Sequence, residues 1–399
     1  MKEPLSTLLI GVGGYGNLYS TFLLSDESAG YFRLVGVVDP YADQAPRYED
    51  LKATVPIYDN MADFFAEQSA DLTIICTPIH LHFEQCVTAF ENGSHVLCEK
   101  PLVPKPEDLD RLDSAAGDKY LAVGFNWCSS EIILSLKQRI LAGEFGRPLR
   151  LKSYTSWPRG WAYYNRGVKW AGKIKTEDGK LIYDSIASNA TSHFIQNMLF
   201  LLGSSMMESA SLSNVDVECY RANDIESFDT IAFRGEAAGA EIYFTASHAT
   251  CQNISPVMDF EFEKARMHLS IADGEFLCTI YFKDDDEEKL IENERSFKAY
   301  PLISLAKLIN GEKAYICTTD TVRPFTVLIN EIFEKVPFNS FPESFIIKDP
   351  QASASYLKGQ QPGVTYLKDL HRELWDCYEQ FKLPSEAALP WASPATRIL

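Results

Sequence analysis

The stretch Gly11-Val12-Gly13-Gly14-Tyr15-Gly16 decides how the N-terminal part of this chain folds. It stands between a predicted strand, Leu8–Val12, and a predicted helix, Tyr15–Leu24. In the pattern G-x-G-x-x-G, the glycines allow a tight turn, a close approach of backbone to a diphosphate, and a close contact between helix and strand. The helix N-terminus adds free N–H groups and a positive dipole. We therefore predict a dinucleotide site at Gly11, Gly13, Gly14, Tyr15 and Gly16.

Asp39 indicates which dinucleotide this site takes. It ends a second predicted strand, Leu34–Asp39, about twenty residues after the glycine loop, where an acid bonds the ribose hydroxyls. A carboxylate at this point repels the 2′-phosphate of NADP, whose sites supply an arginine instead. The next residues are Pro40-Tyr41-Ala42-Asp43, and the first arginine after them is Arg47. The sequence therefore predicts NAD rather than NADP.

Short apolar runs alternate with amphipathic stretches through the first third of the chain. Further predicted strands are 57–58, 72–76, 96–98 and 120–125, and the helices between them are 61–68, 83–91 and 107–116. Such alternation is typical of a parallel sheet with helices on both faces, whose strands are apolar throughout. We predict that residues 1–126 form a Rossmann domain of the α/β class.

The pattern changes after Asn126. Predicted helices are Glu131–Ala142, Asp184–Leu202 and Leu367–Phe381, and predicted period-2 strands are Arg150–Ser156, Glu241–Ser247, Phe260–Ile271 and Phe276–Phe282, with a turn at Asp273-Gly274. This predicts a second α+β domain, 127–345, with a large, open, mainly antiparallel sheet for substrate binding and oligomerisation. Residues 346–399 are expected to be a loop and helix extension that packs on the domains.

The composition argues against several kinds of partner. There are 37 Lys and Arg against 55 Asp and Glu, a net charge of −18, so nucleic acid and anionic membrane surfaces would repel the chain. No apolar run reaches the roughly 18 residues of a membrane helix, and the first residues, MKEPLSTLLIGVGGYG, lack a signal-peptide layout. Nine cysteines without a C-x-x-C pair indicate free thiols in a reducing compartment. We expect a cytoplasmic protein without bound metal, with 284–288 as a solvated acidic turn.

Three more motifs follow predicted strands of the first domain. They are Thr77-Pro78-Ile79-His80-Leu81-His82, Glu99-Lys100-Pro101 and Gly124-Phe125-Asn126. Together with the glycine loop, they resemble the Gfo/Idh/MocA family (glucose–fructose oxidoreductase, inositol dehydrogenase, rhizopine catabolism) over roughly residues 5–205. The resemblance implies a Rossmann domain followed by a domain with a large open sheet, which commonly forms the oligomer interface. It also implies substrates among sugars, cyclitols and their derivatives.

The resemblance assigns roles to the residues of these motifs. It implies that Lys100 contacts the nicotinamide ribose and the substrate hydroxyl, and a cation beside the cofactor can indeed lower the cost of deprotonating an alcohol. His82 either contacts the cofactor, as the matching family position implies, or is a helix-start histidine bonded to backbone. The predicted cofactor contacts outside the glycine loop and Asp39 are Thr77, Pro78, His82, Glu99, Lys100, Asn126 and Trp170.

A second family signature, D-x-G-x-H, is altered in this chain. His193 matches its histidine, Asn189 stands at the aspartate position and Thr191 replaces the glycine. Positions i and i+4 of a helix share one face. The resemblance therefore predicts that His193 accepts the substrate proton and that Asn189 orients its imidazole.

A loop rich in aromatic and cationic residues follows the first strand of the second domain. It runs from Trp157 to Arg166, and Trp170 comes soon after. Aromatic faces stack on sugar C–H surfaces, and arginine binds hydroxyls or a carboxylate. We expect Trp161 and Tyr163 to anchor the loop. Asp184 either binds substrate or caps the following helix. The predicted substrate residues are Arg159, Tyr164, Asp184, Asn189 and His193.

These features predict hydride transfer between NAD and a secondary alcohol of a sugar, a cyclitol or a derivative of either. Two alternatives remain open: an NAD-retaining glycoside hydrolase or lyase acting by transient oxidation and elimination, and a non-enzymatic NAD sensor. A homo-dimer or homo-tetramer is expected, because the open sheet leaves an apolar face, including Glu241–Thr245, for another subunit.

Overall fold

The computed structural model of the chain describes residues 3–166, 170–293, 298–352 and 362–399. These residues divide into two units. The first unit takes the described residues up to Ser129 together with those of 295–323, and the second takes those of 130–294 and 324–399.

Helices and strands follow one another along the described chain as follows. The helices are α1 (Gly16–Leu23), α2 (Tyr48–Thr54), α3 (Met61–Glu67), α4 (Ile79–Glu91), α5 (Pro106–Ala116), α6 (Glu131–Leu141), α7 (Trp161–Tyr164), α8 (Ser192–Leu202), α9 (Tyr300–Ile309), α10 (Thr319–Lys335) and α11 (Leu370–Gln380). The strands are β1 (Leu5–Ile10), β2 (Phe32–Val38), β3 (Ile57–Tyr58), β4 (Leu72–Ile75), β5 (His95–Cys98), β6 (Leu121–Val123), β7 (Pro148–Ser156), β8 (Leu212–Arg221), β9 (Thr230–Ala237), β10 (Ala240–Ser247), β11 (Ile254–Phe262), β12 (Ala265–Ala272), β13 (Glu275–Phe282), β14 (Glu287–Asn293), β15 (Phe338–Ser340), β16 (Ile347–Asp349), β17 (Val364–Tyr366) and β18 (Thr396–Ile398).

The first unit is a parallel six-stranded sheet in the order β3-β2-β1-β4-β5-β6. This is the strand order of a dinucleotide-binding fold, in which the order reverses between β1 and β4. Every residue of β4 is buried, as expected for a central strand with helices on both faces. The prediction of an N-terminal Rossmann sheet is confirmed.

A later segment of the chain joins this first unit. Leu302 and Leu305 of α9 are fully buried in the same apolar cluster as Leu9, Val37 and Leu72 of the sheet. The predicted division assigned all of residues 127–345 to the second domain, so the structure differs from it in the segment that contains α9. The difference arises because an amphipathic helix does not itself indicate which sheet will bury its apolar face.

The second unit is built on a mixed ten-stranded sheet. Its strand order is β14-β13-β12-β11-β7-β10-β9-β8-β15, with β18 paired to β8. Most neighbours are antiparallel, whereas β7 and β10 are parallel, as are β8 and β15. The prediction of a large, mainly antiparallel sheet is confirmed.

One predicted strand is in fact a hairpin. The run 260–271 is divided between β11 and β12, which pair in antiparallel register with Phe260 opposite Met267. The turn residues Glu263 and Lys264 are neither glycine, proline nor asparagine, so the sequence carries no turn signal there. Asp273 and Gly274, by contrast, both have positive φ and form the turn that was predicted.

The predicted helix Asp184–Leu202 is interrupted. A π-helical turn, Ile186–Ala190, precedes α8, and Thr191 between them leaves the helical region with φ −112° and ψ 10°. The Thr191 hydroxyl donates to the carbonyl of Ile186 at 2.7 Å. Hydroxyl side chains that bond the local backbone compete with the regular helical ladder, which explains the break.

A buried lysine holds the C-terminal end of α8. The ammonium group of Lys137 on α6 donates to the carbonyls of Phe200 and Gly203 at 2.5 and 2.6 Å. Cations are stabilising at helix C-termini, where the last carbonyls lack helical partners.

The C-terminal segment covers one face of the large sheet. Leu374 and Tyr378 of α11 pack in one apolar cluster with Tyr154, Tyr220 and Tyr243 of the strands beneath. The expectation that Glu241–Thr245 faces another subunit is wrong, because Tyr243 is 0% exposed and donates its hydroxyl to the carbonyl of Lys382.

All nine cysteines lie in the described residues and none of them forms a disulfide, and Cys251 is the exposed member of the group. Within the described ranges, no helix combines the length and hydropathy that crossing a membrane requires.

Candidate cofactor and substrate sites

The glycine loop has the close contacts that its motif predicts. A Cβ on Gly16 would lie 2.0 Å from the carbonyl oxygen of Gly11, and one on Gly11 would lie 2.9 Å from the backbone of Cys76. These two glycines therefore let α1 pack directly against the ends of β1 and β4. Around Gly13 and Gly14, in contrast, no atom of the described residues, their own chain neighbours aside, lies within 4 Å of an added Cβ. That open side at the start of a helix fits a dinucleotide diphosphate.

Asp39 is tied to the glycine loop. Its Oδ2 accepts from the Val12 amide at 2.9 Å, and its Oδ1 accepts from the Tyr41 amide at 2.9 Å. A carboxylate oxygen has two lone pairs, so each can accept a further hydrogen bond from a ribose hydroxyl.

Glu99 is a buried carboxylate beneath the glycine loop. Tyr19 of α1 donates its hydroxyl to Oε1 at 2.9 Å, and the Lys100 amide donates to Oε2 at 3.2 Å. An added Cβ on Gly124 would lie 2.5 Å from Oε1, so a side chain there would displace the carboxyl group of Glu99. Glu99 therefore links α1 to the backbone of Lys100. Its predicted cofactor contact stays a prediction.

Burial raises the pKa of Glu99 to about 7, against the opposing effects of the Lys100 charge and the Tyr19 hydrogen bond. Because its surroundings are apolar, the carboxyl group of Glu99 ionises near neutral pH.

His82 lies between two backbone carbonyl groups. It is buried in the first turn of α4, with Nε2 2.8 Å from the carbonyl oxygen of Thr77 and Nδ1 3.0 Å from that of Pro101. Of the two alternatives left open by the sequence, this geometry matches the histidine bonded to backbone. The ring connects the turn that carries Thr77 and Pro78 to the loop that carries Lys100.

Asn126 lies beside the glycine loop. Its Nδ2 donates to the Tyr15 hydroxyl at 3.0 Å. Its Oδ1 is buried without a hydrogen-bond partner in the described chain, and a buried acceptor of this kind fits a donor supplied by a bound molecule. Thr77 donates its hydroxyl to Gln85 at 2.5 Å.

In the second unit, the predicted substrate loop forms a cationic and aromatic cluster. The guanidinium carbon of Arg159 lies 5.2 Å from the ring centre of Tyr163, and that of Arg166 lies 3.7 Å from the same ring. Arg166 also lies 5.4 Å from the ring of Trp170. Arg159 is only 6% exposed. Burial raises the pKa of Tyr164 well above its usual value, and its hydroxyl has no hydrogen-bond partner among the described atoms.

Asp184 is not the cap of the helix that follows it. The N-cap is Ser185, whose side chain accepts from the Ser188 amide. Asp184 instead accepts from the Gly172 amide at 2.6 Å and from the Asn189 side chain at 2.9 Å. It therefore holds the segment next to Trp170 against the π-helical turn.

Asn189 and His193 are not on one continuous helix. Asn189 belongs to the π-helical turn and His193 to the first turn of α8, with the break at Thr191 between them. The prediction that they share a helix face is therefore wrong, because it assumed an unbroken α-helix. Their catalytic roles stay predictions.

Sequence reasoning missed His248. It follows β10, is 3% exposed, and its Nδ1 lies 2.7 Å from the carbonyl oxygen of Trp157. Burial, and then the charge of Arg159, lower its pKa well below the usual value. A polar residue directly after a predicted strand was an available signal. Its place beside Trp157 depends on the parallel pairing of β7 with β10, which no local pattern reveals.

The fold and the glycine-loop site define an NAD-binding Rossmann protein, and comparison with known proteins agrees. Residues 5–126 match the model of the "Oxidoreductase family, NAD-binding Rossmann fold" (GFO_IDH_MocA). This match agrees with the resemblance to the Gfo/Idh/MocA family that the motifs of residues 5–126 predicted.

Among curated relatives, the chain is similar to scyllo-inositol 2-dehydrogenase (NADP(+)) IolW of Bacillus subtilis, at 26% identity over 57% of this chain and 60% of the relative. It is 32% identical to inositol 2-dehydrogenase of Mycolicibacterium smegmatis over 37% of this chain and 44% of the relative. The chain thus spans about half the length of these two relatives.

Among solved structures, the WlbA dehydrogenase of Bordetella pertussis in complex with NADH and UDP-GlcNAcA superimposes with a TM-score of 0.67 at 19% identity. The match covers 83% of this chain and 96% of WlbA. At this identity, the likeness establishes the fold of both units.

Replacing Glu99 by glutamine should change how stability depends on pH. Because the folded-state pKa is raised from 4.5 to about 7, the stabilising protonated form is lost as pH rises through about 7. The E99Q variant should therefore gain up to about 3 kcal/mol over wild type between about pH 5 and pH 8. Urea unfolding at several pH values measures this difference. The exposed Glu107→Gln is the control, and an E99Q curve parallel to wild type would contradict the assignment.

Proposed function

We propose that this protein is an NAD-dependent dehydrogenase that transfers a hydride between nicotinamide and a secondary alcohol of a sugar, a cyclitol or a related compound. The observation that carries the proposal is the arrangement in the first unit. The open glycine loop, the Asp39 carboxylate bonded to that loop and Lys100 after β5 belong to the carboxyl edge of one parallel sheet. Ligands of such sheets bind at this edge.

The proposed cofactor contacts are those of the first unit that fit a dinucleotide. Gly13 and Gly14 would admit the diphosphate, Asp39 would accept from the ribose hydroxyls, and Asn126 has a buried acceptor available. The bound cofactor supplies the hydride chemistry, while the protein supplies alignment and charge. We propose NAD rather than NADP, because Asp39 follows β2 where the ribose hydroxyls bind and the first arginine after it is Arg47.

In the proposed reaction, the protein must stabilise charge on the alcohol oxygen and accept the proton of the hydroxyl group. We assign Lys100 to the reacting oxygen, where its positive charge stabilises the alkoxide character that develops as the alcohol is oxidised. His193 is the proposed proton acceptor. The contact with Asp184 gives Asn189 a defined position near the start of α8. We propose that Asn189 orients the imidazole of His193 from this position, which does not require one continuous helix.

The substrate contacts are proposed in the second unit. The aromatic faces and guanidinium groups of the loop from Trp157 to Arg166 suit a polyhydroxylated ring that carries polar substituents. Mostly buried cysteines that form no disulfide agree with the cytoplasmic location that we propose.

A panel of sugars, cyclitols and sugar acids, each offered with NAD and with NADP, tests the function. We expect reduced nicotinamide to accumulate with at least one compound, and kcat/KM to be greater with NAD. Equal or greater efficiency with NADP would contradict the cofactor assignment. Glycoside cleavage without added NAD would favour the NAD-retaining alternative. NADH binding without turnover of any compound would favour a sensor.

The Lys100→Ala variant should lose about 10²-fold or more in turnover, since one electrostatic or proton-transfer group contributes that much. NADH affinity, measured by fluorescence titration, should stay within about threefold of wild type, because the diphosphate and ribose contacts remain. Lys52→Ala, which removes an exposed lysine of α2, is the matched control. Turnover of K100A close to that of K52A would remove Lys100 from the mechanism.

We also propose a homo-dimer or homo-tetramer. We place its interface outside the face of β7 to β10 that the C-terminal segment covers, because Tyr154 and Tyr243 of that face are already buried against α11. Light scattering of the full chain should give a mass of two or four subunits, and a monomeric mass would refute this expectation.

A further inference from the structure

Trp161 connects the substrate loop to the C-terminal segment of the chain. It begins α7, the short helix that also holds Tyr163 and Tyr164. Its indole Nε1 donates to the Thr365 hydroxyl at 2.8 Å, and its backbone amide donates to the carbonyl of Gly363 at 2.8 Å. A backbone bridge joins the adjacent Gly160 to Val364. Three consecutive residues near the C-terminus thus bind two consecutive residues of the loop.

Gly363 has a backbone conformation that favours glycine and a contact with Trp161 that leaves no room for a side chain. Its φ is +124°, in a region that residues with a Cβ rarely adopt. A Cβ at this position would also lie 2.3 to 2.9 Å from three atoms of the Trp161 indole. The ring therefore rests directly on the glycine backbone, and a side chain at residue 363 would push Trp161 away.

The three residues that bind Gly160 and Trp161 are themselves firmly held. Val364 to Tyr366 form β17, which pairs with β16 in a two-stranded sheet. Immediately afterwards, Leu367 bridges to Thr250 and is buried in the apolar cluster that α11 forms with the large sheet. The C-terminal segment thus connects Trp161 to the large sheet.

The loop that Trp161 anchors carries polar groups on either side of it. Arg159 precedes it by two residues, and its amide donates to the carbonyl of His248 at 3.2 Å. Tyr163 follows by two residues, and its ring centre lies 5.9 Å from that of His248. Because α7 is only four residues long, a shift of Trp161 moves Tyr163 and Tyr164 with it.

We propose that Gly363, Val364 and Thr365 are positioning residues for substrate: they fix Trp161, and through it the loop that presents Arg159, Tyr163 and Tyr164. This rests on the proposed function, in which that loop contacts the substrate. The C-terminal segment is therefore part of the specificity of the enzyme. It acts on substrate binding and leaves the cofactor site of the first unit unaffected.

Hydrogen–deuterium exchange of the full chain tests the anchoring itself. Gly363→Ala should raise the exchange rate of the amides of residues 161–165 by about tenfold or more, because local opening no longer has to break the indole contact. Gly274→Ala is the matched control, since Gly274 also has positive φ, +81°, yet its added Cβ would meet no atom within 4 Å among the described residues beyond its chain neighbours. Equal protection of 161–165 in both variants would overturn the proposal, whether or not any substrate is known.

Two milder variants test the consequence for substrate. Thr365→Val and Trp161→Phe each remove one side of a single hydrogen bond, and each should raise KM for the substrate found in the panel about three- to tenfold. We expect kcat to stay within about threefold and NADH affinity to be unchanged, a split that general destabilisation would not produce. Unchanged KM in both variants, or a loss confined to kcat, would overturn the positioning role. If wild type turns over no compound, the proposed function fails, and the exchange experiment still decides the anchoring.

Discussion

The contact between Gly16 and the carbonyl oxygen of Gly11 is the constraint on which the first unit depends. The two backbones approach so closely that any Cβ on Gly16 would overlap that oxygen. This approach lets α1 lie on the sheet, and Tyr19 of α1 then reaches Glu99. Glu99 in turn accepts from the amide of Lys100. A missing side chain in the glycine loop thus sets the position of the proposed catalytic lysine through one buried carboxylate.

Burial of the Glu99 carboxyl group is energetically unfavourable, and its surroundings explain why the fold tolerates it. An unpaired buried carboxylate would cost several kcal/mol, but here Tyr19 and a backbone amide donate to it, and its raised pKa lets it take a proton near neutral pH. His82 has a comparable place on the other side of the Lys100 loop, since it bonds the carbonyl of Pro101. Lys100 is therefore held by polar contacts within its own unit.

The sequence predicted the elements of the first unit well, because each central strand is a continuous apolar run and each helix has an amphipathic period. It also placed the glycine loop, Asp39 and Lys100 directly after strands of this sheet, where the structure has them, and their contacts with a cofactor stay predictions. It failed where local signals were weak. The turn at Glu263 and Lys264 has no turn-forming residue, and the break at Thr191 comes from side chains that bond nearby carbonyls. The mistaken helix face of Asn189 and His193 followed from that break.

What the sequence by itself determined is the class of most elements of the first unit and, through their alternation, the Rossmann sheet, because the apolar period of each strand and helix is a local property of the chain. Only the tertiary structure decided that α9 belongs to the first unit, that His248 lies beside Trp157, and that α11 covers the large sheet where a second subunit was expected. The same holds for Trp161, whose partners Gly363 and Thr365 lie some two hundred residues later. The reason is physical: an apolar face or a free N–H group specifies what kind of partner it needs, but the partner is chosen by which distant segment the completed fold brings to it.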